Sequence, residues 1–99
     1  MESKLLAELG RGLMQLTEKL GEAEVREHVS LRISTSLFPR FCGALGVDPK
    51  AGVSQVSLFG HPVAWTTQFP DERVEFHFRG RVVGTLRIRY THVVPKFYA

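Results

Sequence analysis

Leu6, Leu9, Leu13, Leu16 and Leu20 recur at spacings of 3, 4, 3 and 4, with Leu5 and Met14 flanking them. That period predicts one apolar stripe along an α-helix. Gly21 is placed to cap its C-terminus, and Gly10 and Gly12 each cost roughly 1 kcal/mol relative to alanine, so the helix needs a surface to pack against. The domain's own sheet is one such surface, and a second copy of the helix is another.

Val29, Leu31 and Ile33 alternate with Ser30, Arg32 and Ser34, the pattern of a half-buried strand. A short helix follows: Thr35 or Ser36 suits its N-cap, Pro39 its first turn, Gly46 its left-handed cap with Val47 folding back, and Phe38, Phe41 and Leu45 its apolar side. Asp48 to Gly52 reads as a turn, and four further strands separated by turn signals follow it.

Parity sets the register, because a slip of one residue turns a whole apolar set outward. A three-residue loop Arg79–Arg81 opposes Phe78 to Val82, Phe76 to Gly84 and Val74 to Leu86. A four-residue loop Pro70–Arg73 pairs Phe69 with Val74 and Trp65 with Phe78, and a loop Phe59–Pro62 pairs Leu58 with Val63. One face then collects Val56, Leu58, Val63, Trp65, Phe69, Val74, Phe76, Phe78, Val82, Leu86, Ile88 and Tyr90. The expected fold is α+β: an antiparallel four- to five-stranded meander with two helices packed on one face, in the order α-β-α-β-β-β-β. Residues 1–99 are expected to form one domain, with 93–99 a candidate protruding tail.

Charge changes this picture at one end. The net charge is +3, but residues 1–28 hold six acids against four bases, and residues 73–99 hold six bases against Glu75 alone. The polar side of the sheet carries Arg73, His77, Arg87 and Arg89, with Arg79 and Arg81 at a loop end. Solvation of a one-sided sheet accounts for such a row. Binding is favoured by the register, which opposes Arg73 to Arg87, since like charges so placed repel by roughly 0.2–1 kcal/mol and an anion would relieve them. Arginine also suits bidentate recognition of carboxylate or phosphate. Phe59 in its loop and Phe97 and Tyr98 in the tail are the large apolar groups expected to point outward.

Catalytic and metal chemistry find little footing. Cys42 beside Phe41 reads as a buried structural thiol. His28, His61, His77 and His92 have no metal-ligand spacing, and the acids of the first helix, Glu18, Glu22, Glu24 and Glu27, read as its solvated face. No cofactor motif is present. The first residues carry Glu2, Lys4 and Glu8 without a continuous apolar run, which speaks against a signal peptide or a membrane span, and the single cysteine suits the cytoplasm. The expected function is therefore a non-enzymatic protein-interaction module, such as an adaptor, regulator or inhibitor of a larger protein or an assembly subunit. It would take an acidic partner surface on the arginine row or the tail. The alternatives are a nucleic-acid-binding accessory protein using phosphate contacts and a self-assembling subunit, with a homodimer expected through the first helix or an edge strand.

Overall fold

The leucine stripe forms α1, Glu2–Leu20, and buries Leu5, Leu9, Leu13 and Leu16. This and the following elements are taken from a computed structural model that describes residues 2–46, 57–90 and 92–98. Gly21, at φ 97°, stops α1 with its N–H bonded to the Thr17 carbonyl at 2.9 Å. The chain then starts a second helix, α2 (Glu22–His28), so Glu22, Glu24 and Glu27 lie on α2 and not on the first helix as expected. Only Val25 of α2 is buried, which left its amphipathic signal too weak to read. Carboxylates in its first turn and Arg26 and His28 in its last complement the helix dipole. A 3-10 turn, Thr35–Leu37, leads into α3, Phe38–Leu45, which has Pro39 in its first turn and ends at Gly46 in the left-handed conformation, as its sequence predicts.

The strands are β1 (Val29–Ser34), β2 (Ser57–Leu58), β3 (His61–Thr66), β4 (Arg73–Phe78), β5 (Arg81–Arg89) and β6 (His92–Phe97). Among the described residues they form a six-stranded sheet in the order β2-β3-β1-β4-β5-β6. The fold class is α+β, but the expected antiparallel meander is corrected to a mixed sheet with three helices, because β1 is inserted between β3 and β4. It runs parallel to β3, with Leu31 beside Val63 and Ile33 beside Trp65, and antiparallel to β4, with Leu31 beside Phe76. The expected Trp65–Phe78 and Phe69–Val74 pairs therefore do not form. A parallel pair needs a long crossover, and the stretch carrying α3 supplies it. Parity fixes which face a side chain takes, not which strand lies alongside.

Turn chemistry explains two further corrections. Phe59 and Gly60 have φ of 52° and 79°, and Arg79 and Gly80 have 50° and 85°, so both hairpins close with two central residues in the left-handed region. Such turns match the strand twist. Leu58 consequently pairs with His61 and not Val63, and Phe78 pairs with Arg81 and not Val82. A bulge between Phe76 and His77 restores the expected Phe76–Gly84 and Val74–Leu86 pairs. It turns Val83 into the core and leaves Val82 exposed. Tyr90, expected on the apolar face, is 95% exposed at a left-handed turn position. The Asp48–Gly52 turn, Val47, Val56 and the Leu45 side chain lie outside the described residues.

One core joins α1, α3 and the covered face of the sheet, centred on Leu9, Leu16, Leu31, Ile33, Phe41, Phe76 and Leu86. Trp65 is half-buried, edge-on to Phe38 and Phe41 at centroid distances of 4.9 and 5.8 Å. Two glycines shape the far end. A Cβ on Gly12 would stand 2.7 Å from the Phe97 ring, and one on Gly84 would overlap that ring. Phe97 thus lies in a slot between α1 and β5, 5.5 Å from the Phe76 ring, so the residues expected to protrude include a strand whose last side chain turns inward.

Candidate functional site

The uncovered face of the sheet is built by the polar alternates of each strand. Register places Ala64, Arg32, Glu75, Thr85 and Lys96 in one row across five strands, and Thr66, Arg87 and Val94 in the next, with Ser34 and Arg73 between them. Arg89 and His92 pair one step further along β5 and β6. Neighbouring strands lie about 4.8 Å apart, so Arg32 and Lys96 stand roughly 14 Å from one another.

Arg73 sits opposite Arg87, as the sequence predicts. The loop before β4 answers that repulsion. Arg73 Nε donates to Asp71 Oδ1 at 2.5 Å, its Nη1 is 3.5 Å from Glu75, and its guanidinium lies 5.4 Å over the Phe69 ring. The other Asp71 oxygen is 3.9 Å from Arg87 Nε. Asp71 therefore bridges the two cations. The hydrogen bond from Arg73 holds its carboxyl below the usual carboxylate range, aided by the charges of Arg73, Arg87 and Arg89, and raises Arg73 in return. Ser34 Oγ ties down the same corner, accepting from Arg73 N–H at 2.9 Å. An external anion is not required to relieve the pair.

This bridge has a pH signature. The depressed Asp71 makes a contribution to stability that is present above its unfolded value, about 3.9, and is lost as pH falls through the lower folded value. Asp71→Asn is expected to cost about 0.2–1 kcal/mol near neutral pH, because its side chain remains 37% exposed. Urea titrations of both proteins should converge once the pH has fallen below the folded-state value of Asp71. Equal stability at pH 7 would show that Asp71 does not bridge the arginines.

The remaining expected site residues separate. His77 lies on the same open face, its Nε2 2.9 Å from Glu75 Oε1. Tyr98 stands at the edge of that face, 5.5 Å from the Lys96 ammonium. Arg79 is drawn the other way: it donates to Glu24 of α2 at 2.9 Å and holds that carboxyl low, the acidic head and basic tail meeting within the chain. Arg81 is exposed at the hairpin end, and Phe97 faces the core side. Two cations of the open face were not among the expected residues, Arg32 and Lys96. The polar alternation of VSLRIS marks Arg32, but its place beside β4 depends on the strand order.

Phe59 belongs to a different surface. It is 59% exposed at the β2–β3 turn and lines a groove of about 970 Å³ together with Met14 of α1 and Val25 of α2. His61 closes the floor of this groove, its Nδ1 3.0 Å from the Val29 carbonyl. Met14 carries the sequence signal for it, a large apolar side chain set apart from the core-facing leucines. No known protein family, curated protein or solved structure matches the chain. Among the described residues no helix is long and apolar enough to cross a membrane.

Proposed function

We propose that this chain is a small non-enzymatic interaction module that takes an acidic surface of a partner protein on its open sheet face. One observation carries the reading. Arg32, Arg87, Arg89 and Lys96 share that face, and among the described residues no carboxylate lies within 4.0 Å of Arg32, Arg89 or Lys96. Arg73 and Glu75 serve as the rigid floor between them, each largely covered. Single-strand nucleic-acid binders add a platform of several aromatic rings to such a basic face. Here Phe76 and Phe78 lie on the covered side and Trp65 packs on α3, which favours a protein surface over bases.

The test is the double variant Arg87→Glu/Arg89→Glu. Its fold should survive, because Arg89 is exposed and Arg87 makes one long ion pair among the described residues, and surface changes usually shift stability by about 0.5 kcal/mol. Binding should fall by at least about 100-fold, since reversed charges facing an acidic surface cost several kcal/mol. Wild type and variant used as baits in extract of the source cells, with circular dichroism as the fold check, read both quantities. Retained capture by the folded variant removes the reading. A captured nucleic acid, whose log affinity falls steeply and linearly with log salt, replaces it with phosphate binding.

A further inference from the structure

The outward side of α1 centres on one exposed apolar residue. At 100° per residue Met14 points away from Leu5, Leu9 and Leu16, and it is 67% exposed. Ala7, Gly10, Arg11, Thr17 and Glu18 share its side of the helix, three, four or seven residues away from it. With Met14 on a two-fold axis, an antiparallel copy sets each position beside the one equally far on the other side of Met14, which brings Glu18 of one chain opposite Gly10 of the other and next to its Arg11. The charges agree. The groove beside this face is rimmed by Arg11 and Arg26 and by Glu18 and Glu22, equal numbers of each sign. A uniformly acidic or basic occupant would leave two like charges opposed, whereas a second copy brings Arg11 against Glu18 twice.

We propose that the outward face of α1 docks antiparallel against the same face of a second copy, with Met14 at the two-fold axis, Phe59 flanking it, and Arg11 of each chain paired with Glu18 of the other. Small side chains at Ala7 and Gly10 let the helices approach closely. Arg11 already has a neighbour in Glu8 on its own helix, and its side chain is 70% exposed, so it is free to turn toward a second carboxylate. This surface is separate from the basic sheet face, and both can be occupied together.

Light scattering on the purified chain should give about twice the 11.2 kDa chain mass at micromolar to hundreds of micromolar concentration. Arg11→Glu alone opposes two carboxylates at each of the two symmetric contacts, and Glu18→Arg alone opposes two cations. Each variant should dissociate at least about 10-fold more readily than wild type. Mixed in equal amounts, the two variants should recover the dimer, because every contact is then between opposite charges. That rescue separates an interface from damage to the fold. Met14→Gln, at an exposed position, supplies a second variant with the same expected weakening. The Arg87→Glu/Arg89→Glu chain should remain dimeric, so failure of this proposal and failure of the basic-face reading are read separately. A wild-type mass near 11.2 kDa at the highest concentration overturns the proposal, and so does a dimer indifferent to both charge reversals or a mixture that stays monomeric.

Discussion

Phe76→Ala is expected to cost about 3–5 kcal/mol, the range for removing a large aromatic from a closed core. Its ring is fully buried on the central part of the sheet and touches elements far apart in the chain: β1 through Leu31, β5 through Gly84, α1 beside Gly12 and β6 through Phe97. The surroundings cannot collapse into the vacated volume without moving α1, which two glycines already bring close to the sheet. Domains of this size are stable by about 5–15 kcal/mol, so the variant would keep a thin margin. Thermal unfolding should drop by more than about 12 °C, at roughly 4–8 °C per kcal/mol. A loss below about 1 kcal/mol in urea unfolding would mean that the ring is not the hub described.

Gly84→Ala is the second large effect, and its sign depends on Phe97. A methyl group there overlaps the Phe97 ring, and overpacking of this kind typically costs about 1–3 kcal/mol. The ring cannot step aside easily, since Gly12 of α1 bounds it on the other side. Phe97→Ala empties the slot and has its own cost, but adding Gly84→Ala in that background should be close to neutral. A double-mutant cycle by chemical denaturation should therefore give a coupling of about 1 kcal/mol or more. Additive effects would place the Phe97 ring outside the slot and return residues 93–98 to the role of a free tail.

What the sequence disclosed and what it hid both follow from the geometry of a strand. Alternation over two residues told the core side of β4 and β5 from the wet side, and it placed Arg73 against Arg87 and Phe76 against Gly84. It carries no information on neighbours, so it cannot place β1 in the middle of the sheet or Arg32 within the basic face. Arg-Gly and Phe-Gly looked like parts of longer loops because arginine and phenylalanine rarely adopt positive φ. The adjoining glycine is the legible half of each turn. Asp71, which bridges the arginine pair, sits in a loop whose path no periodicity describes. Arg79 and Phe97 look like any exposed basic or terminal aromatic residue until α2 and β6 are in place.

The central position of β1 also orders events in time. Leu31 finds its neighbours at Val63 and Phe76, far along the chain, whereas β4, β5 and β6 follow one another through short turns. Non-local pairings of this kind slow folding, because a long loop must close before they form. On a ribosome adding about 5–20 residues per second, β1 emerges roughly 2–6 s before the last residue of β3, and for that interval it has no partner on either edge. Its apolar row can meanwhile shelter against the helices made around it, α1 and α2 before it and α3 after it, so they act as a temporary cover for a strand whose permanent neighbours have yet to be made.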